Sequence, residues 1–458
     1  MILDLRITIL DYQYQKFNFQ NLSMIEKNNK KTIRSWAFFD WANSAYNLVI
    51  TSTIFPAYYT IITTTKEHGD KVTFLGRTFV NTSLSNYALS FAYLMMALAL
   101  PILSSIADRR GNKKSFMKFF TYMGGLSCMA LYFFKLDTLQ ISILFFVLAA
   151  MGYIGGVLFS NSYLPEIATE EHQDRVSAQG FSYGYVGSVV LQLICFLFVL
   201  KPEWFGIVDA SFPPRLSFLL VGLWWIAFSQ IPFAVLPDGT PQIGKVKTNI
   251  IKDGFSELTK VWKQLKLIKK LKGFLLSFFF YSMGVQTIML AAAGFAEKTL
   301  KLGTAKLIAV ILIIQLVAIP GALLMSFLAK KWGNVNVLMM VVLIWIGCCV
   351  YGYNITNEYQ FYSLAAIVGL IMGGIQSLSR STYSKYLPAN TPDSTSFFSF
   401  YDVTEKLAIV IGLFSFAYIE DLTGNIRYSI IALASFFIVG LVFLALLKKI
   451  ERKEIVKV

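Results

Sequence analysis

Ala107-Asp108-Arg109-Arg110-Gly111-Asn112 and, 222 residues further on, Ala329-Lys330-Lys331-Trp332-Gly333-Asn334 each close a long apolar run with the same Gly-Asn ending. Tyr163-Leu164-Pro165 returns as Tyr386-Leu387-Pro388 at an offset of 223, and Arg215-Leu216-Ser217 as Arg427-Tyr428-Ser429 at an offset of 212. Three matches in order at near-equal offsets mark an internal repeat. Around them lie twelve runs of the roughly 20 apolar residues that a bilayer core of about 30 Å requires. They fall near 36–63, 84–106, 115–134, 139–162, 176–200, 215–236, 273–295, 304–329, 335–354, 359–384, 395–419 and 426–447. Six runs separate the copies, so both face the same way across the membrane. The expected fold is an all-α membrane protein of twelve transmembrane helices in two parallel six-helix repeats, as suits a transporter that rocks about a midplane site.

Composition agrees. Of 458 residues, 56% are hydrophobic, 16% aromatic and 15% charged, with a mean hydropathy of +0.58. A soluble chain is nearer 45–50% apolar and about 25% charged, so a soluble enzyme is excluded. The net charge of +15 would suggest nucleic acid in a soluble protein. Here, segments on the N-terminal side of the membrane hold 26 Lys and Arg against 10 on the other side. Cytoplasmic loops retain such residues. Both termini are therefore expected in the cytoplasm, in a multi-pass protein of the cell membrane (a bacterial inner membrane) that has lipid but no nucleic acid as partner. Cys128, Cys195, Cys348 and Cys349 sit in apolar runs and read as buried thiols. With His68 and His172 in polar stretches, no metal site, cofactor or membrane histidine relay is expected.

The expected divisions are a leader (1–35), a six-helix bundle (36–236), a basic linker (237–272), a second bundle (273–447) and a basic tail (448–458). Met24 opens a Lys-rich leader, so residues 1–23 are expected to be disordered or to come from an upstream start. In the linker, Ile251, Phe255, Leu258, Trp262 and Leu265 recur at helical spacing among nine lysines. That pattern suits an amphipathic helix on an anionic leaflet or, equally, a solvated connector.

Polar residues inside the spans are the candidates for function. Asp40, Asn43, Ser44, Asn47 and Thr51 form one stripe on the first span; Asp40 either faces a cavity or pairs with Arg34. A carboxylate at membrane depth costs roughly 2.5–3.5 kcal/mol on insertion scales, so it needs a partner or water. The seventh span offers Gln286 and the tenth Gln376 and Arg380. The eleventh places Asp402, Glu405 and Lys406 nearly on one side. Arg380 is expected to pair with Asp402 or Glu405, as a gate or as a permanent ion pair. Gly180, Gly184, Ser188 and Gln192, four apart on the fifth span, read as a packing seam. In the Asp108 loop, a carboxylate, the Gly111 turn and the cations Arg109, Lys113 and Lys114 can form an ion-pair latch to a neighbouring helix end. The second copy has Lys330 in place of the acid, so a latch there must work differently.

The Asp108 loop resembles the signature of the major facilitator superfamily, with Ser104 in place of its first Gly. Trp36-Ala-Phe-Phe-Asp40-Trp41-Ala42-Asn43-Ser44-Ala45-Tyr46, Tyr163-Leu-Pro-Glu-Ile-Ala168, Gly284-Val-Gln-Thr287, Gly373-Gly-Ile-Gln-Ser-Leu-Ser-Arg-Ser381 and Phe400-Tyr-Asp402 together resemble its vacuole-effluxer-like branch, over about Trp36 to Leu447. The resemblance implies a twelve-helix secondary transporter, with amino acid efflux the activity associated with a fungal relative. Met283 stands where that branch usually has Asp, Glu405 where it has Gly and Leu413 where it has Pro. The first two exchanges imply that a proton or cation site has moved from the seventh span to the eleventh.

The expected function is transport of a small polar solute by alternating access, driven by a proton or cation gradient, in a protein working as a monomer. Asp40 or Glu405 would couple, Arg380 would gate or contact a carboxylate, and Asn43, Gln286 and Gln376 would line the path. A transport-inactive sensor or scaffold of the same fold is the alternative. No nucleophile–base pair or phosphate loop supports an enzyme.

Overall fold

The structure, a computed structural model, describes residues 26–239, 250–389 and 391–455. The expected leader 1–23, the centre of the linker and the end of the tail lie outside the described residues. The first segment comprises α1 (Lys30–Tyr46), a π-turn (Asn47–Thr53) and α2 (Ile54–Thr63). A hairpin of β1 (Lys71–Phe74) and β2 (Arg77–Val80) leads to α3 (Asn81–Arg110), α4 (Lys113–Ala130), α5 (Leu139–Asn161), the short α6 (Leu164–Ile167), α7 (Glu170–Leu200) and α8 (Phe212–Val235). The linker helix α9 (Ile250–Leu267) precedes α10 (Lys269–Leu300), α11 (Thr304–Trp332), α12 (Asn334–Tyr353), α13 (Glu358–Lys385), α14 (Ser394–Thr423) and α15 (Ile426–Ile455).

Among the described residues, nine helices are long and apolar enough to cross a membrane. Three of the expected spans miss that measure, for visible reasons. The first is broken by the π-turn, α4 holds three lysines within 18 residues, and α14 carries Asp402, Glu405 and Lys406 together. The π-turn has a local cause. Pro56 has no N–H for the Ser52 carbonyl and its ring crowds that carbonyl. The turn before it widens, and the Ile54 N–H reaches back five residues to the Val49 carbonyl. The hairpin was not expected from the sequence. Its two-residue turn puts both Leu75 (φ 47°) and Gly76 (φ 76°) at positive φ, as a tight hairpin of this kind requires.

The described ends of the chain share one face of the molecule. The Asn28 N–H donates to the Ile167 carbonyl at 2.8 Å, Lys270 pairs with Glu454 at 2.7 Å, and the Tyr386 hydroxyl donates to Glu451 at 2.6 Å. This terminal face also holds α9. Val261 and Leu265 of α9 are buried, and its Trp262 ring lies 5.4 Å from Phe400. Part of its apolar side therefore packs on protein, while Phe255 is exposed; the side chain of Ile251 is outside the described residues.

Small residues let helices touch backbone to backbone where no water drives them together. A Cβ on Gly373 of α13 would stand 2.2 Å from the Ala318 carbonyl oxygen of α11, whereas one on Gly347 of α12 would meet nothing within 4 Å. Gly373→Val should therefore lower the thermal midpoint of the detergent-purified protein by the cost of overpacking, about 1–3 kcal/mol or more. Gly347→Ala should leave it unchanged or raise it slightly. Equal behaviour of the two variants would remove the packing argument.

Candidate transport site

Between the first six long segments and the last six lies a cavity of about 210 Å³. It is lined by Asp40, Asn43 and Asn47 of the first segment, Gln286 of α10, Gln376 and Arg380 of α13, and Asp402, Glu405 and Lys406 of α14. All nine candidates thus share one space. Thr51 does not join them: the π-turn adds a residue to one turn, so the lining continues at Leu48 and Ser52 instead. The sequence reading also missed four tyrosines of the wall, Tyr93, Tyr153, Tyr185 and Tyr401. The available signal was a phenol hydroxyl within an apolar run, which requires a partner or a wet surface.

Arg380 is not paired as expected. Its side chain is 3% exposed and reaches across to the first half. One terminal nitrogen donates to Asp40 Oδ2 at 3.1 Å and Asn161 Oδ1 at 3.0 Å. Nε donates to Ser177 Oγ at 2.9 Å and the other terminal nitrogen to the Ser177 carbonyl at 2.8 Å. The guanidinium also lies 4.2 Å from the Phe181 ring and 4.7 Å from Trp36. Asp40 therefore pairs with Arg380 and not with Arg34, because α13 and α7 pack where α1 turns inward. The small-residue seam on α7 makes room: a Cβ on Gly180 would come within 2.5 Å of Asp40 Oδ2 and 2.7 Å of Arg380 Nη2.

The α14 charges are arranged differently. Lys406 Nζ is 2.6 Å from Glu405 Oε2, and Gln286 Nε2 donates to Glu405 Oε1 at 3.0 Å. Asp402, one turn earlier and 2% exposed, has a buried Oδ2 with no hydrogen-bond partner. Across the cavity, Tyr185 donates to Gln376 at 2.8 Å.

The terminal face is closed by two latches at corresponding places in the repeat. Among the described residues Asp108 forms no ion pair; it caps α14, accepting from the Thr395 N–H at 3.2 Å, the Ser396 N–H at 2.7 Å and Ser396 Oγ at 2.7 Å. A carboxylate at a helix N-terminus satisfies free N–H groups and meets the positive end of the dipole. Gly111 (φ 62°) ends α3, and Arg109 is half-buried in its last turn. Lys113 pairs with Glu166 and lies 3.9 Å from the Tyr163 ring, Lys114 is 3.6 Å from Asp238, and Glu166 accepts from Ser394 Oγ at 2.9 Å. In the second copy the polarity reverses. Asn334, at the start of α12, donates to Asp174 in the first turns of α7 at 2.7 Å, and Lys385 pairs with the same carboxylate at 2.6 Å. Among the described residues, the side-chain hydrogen bonds joining the two halves run from these latches up to Arg380 and Tyr185–Gln376. The far rim of the cavity, at Asn47, Ser52 and Leu290, is exposed. The cavity is thus shut toward the terminal face and reached from the opposite one.

Helices in this order, with a polar cavity between the halves, define a transporter of the major facilitator fold. The solved outward-conformation structure of the transporter FucP overlays with a TM-score of 0.63 at 14% identity, covering 91% of this chain and 98% of that one. The human organic anion transporter MFSD10 overlays at 0.69 with 10% identity, covering 92% and 100%. Residues 28–455 match the family model described as "Vacuole effluxer Atg22 like", and the chain belongs to that family. It is 31% identical over 420 residues to the "Uncharacterized MFS-type transporter YxiO" of Bacillus subtilis, covering 92% of this chain and 95% of that protein. It is 25% identical over 478 residues to "Autophagy-related protein 22" of Kluyveromyces lactis, covering 93% and 95%. It is a multi-pass membrane protein of a family of solute transporters, not enzymes.

The latches should set how often the terminal face opens. Losing a helix-capping carboxylate costs about 0.5–2 kcal/mol, a two- to thirtyfold change in a two-state ratio. Asp108→Ala should therefore raise the labelling rate of a Ser105→Cys thiol by an impermeant maleimide applied from the terminal face. Ser105 is buried against Ser396, so unchanged labelling would mean that Asp108 does not hold the face closed.

Proposed function

We propose that this chain is a secondary active transporter that moves a small polar solute by alternating access, coupled to protons. In this reading the chain crosses the membrane twelve times, both termini are cytoplasmic, and the protein works as a monomer in the cell membrane, a bacterial inner membrane. The terminal face is then the inner one and the described state faces outward. The observation that carries the reading is a polar cavity sealed on one side only by breakable bonds between halves, with one carboxylate left unanswered. Asp40 is neutralised by Arg380 and Glu405 by Lys406, so the coupling group is Asp402 in place of the two acids expected from sequence. A buried carboxylate without a partner is costly; a proton removes that cost in one state and its departure restores it in the other. Arg380 serves as a gate in this reading, since four of its five N–H groups are engaged by the other half. Outward movement, and amino acids as the starting class of solute, follow the family resemblance.

The test is uptake of a panel of amino acids, amines and sugars by proteoliposomes under an imposed pH gradient. The wild type should accumulate at least one solute, and Asp402→Asn should fall to the level of protein-free liposomes. Full gradient-driven uptake by Asp402→Asn would overturn the assignment of the coupling group. Absence of flux for every solute would favour a scaffold.

A further inference from the structure

Five charged side chains line the cavity: Asp40, Arg380, Asp402, Glu405 and Lys406. Two pairs cancel, and Asp402 is the remainder. Three cavity-lining side chains also carry a buried polar atom with no partner: Asp402 Oδ2, Asn43 Oδ1 and Gln315 Oε1. All three are acceptors. An amide can turn over to present its other end, but a carboxylate can only accept. Four N–H groups of the Arg380 guanidinium are already bonded to protein, and the Lys406 ammonium lies on Glu405. The cavity therefore offers a surplus of negative charge and of acceptors, and each of its two cations already sits on a carboxylate. Its phenol and phenyl rings add faces that attract a cation.

We propose that the solute recognised here is a small organic ammonium ion of net charge +1, with the Asp402 carboxylate as its counter-ion. This rests on the transport reading above and names its substrate class. A zwitterionic amino acid fits less well, because its carboxylate would have to compete with Asp40 for Arg380 or with Glu405 for Lys406. The charge balance also sets the exchange: one ammonium replaces one proton on Asp402, so each inhibits binding of the other. Glu405 and Lys406 act on Asp402 directly and Tyr401 and Tyr383 lie beside it, with Tyr281, Tyr93 and Arg380 next around them.

A matched set of probes tests this: tyramine, tyrosine and 3-(4-hydroxyphenyl)propionate, which share a phenol and differ in the charged end. Tyramine should raise the thermal midpoint of the detergent-purified protein, and the other two should not. Its affinity should fall at least about tenfold in Asp402→Asn, the loss of one charged contact. In the wild type it should weaken as pH falls and protons compete. Stabilisation by tyrosine or by the propionate equal to that by tyramine, no shift with tyramine, or an undiminished shift in Asp402→Asn would each overturn the proposal. Flux separates the two readings. Gradient-driven accumulation of tyrosine without tyramine would sink the amine site and leave transport standing. Tyramine binding with no flux of any solute would do the reverse.

Discussion

A guanidinium at membrane depth must be answered on every side, and Arg380 is answered entirely by the other half of the molecule. It belongs to α13, yet Asp40, Asn161 and Ser177 come from α1, α5 and α7. Removing one member of a buried ion pair typically costs about 3–5 kcal/mol, because the remaining charge is stranded. Separation of the halves does not strand it in the same way, since the gap that breaks the contact also admits water. The contact is thus strong while the terminal face is dry and replaceable once it is wet. That is the requirement for a gate that holds and releases. It also explains the seam on α7, where Gly180 leaves the space that the pair occupies.

Around this contact the repeat is used twice with different chemistry. The Asp108 carboxylate in the last turn of α3 caps α14, while the corresponding end of α11 has Lys330 and cannot do so. There, Asn334 donates to an acid on the receiving helix instead. Each latch is a hydrogen-bonded carboxylate between a Gly-Asn corner and a helix start, with the acid on opposite sides. Lys385 reinforces the second latch.

Much of this was legible because the bilayer makes polar residues expensive. Spans could be bounded to within a few residues, as 139–162 against α5 and 359–384 against α13 illustrate. The nine charged and amide side chains singled out inside the spans line one cavity, since facing it is how such residues escape lipid. Partners were harder. Arg380 was matched to Asp402 and Glu405 on the neighbouring span in sequence, but its actual partners lie 203 to 340 residues away across the pseudo-symmetric interface. No periodicity reports that packing. The phase slip at the π-turn, which exchanged Thr51 for Ser52, depends on Pro56 and on local crowding and leaves no mark in a helical wheel. Asp402 could be named from sequence but not singled out, because its isolation exists only once the other four charges have found their partners.

One helix joins the Asp108 latch to the cavity. Ser396, which receives Asp108, and Asp402 are six residues apart on α14, about 9 Å along its axis at 1.5 Å per residue. Glu405 and Lys406 follow within the next turn. A helix of this length moves as a rigid unit, so the N-terminus held by the Asp108 cap and the carboxylate facing the cavity cannot be displaced independently. Neutralising Asp402 changes what that side of α14 can pack against, and releasing Asp108 frees the end that anchors it. Both act on the same element, which is the physical condition for one site to bias the other. Glu405 has a consistent setting on this helix: the acid is balanced by Lys406 and held by Gln286 of α10, and leaves the net charge at the cavity to Asp402.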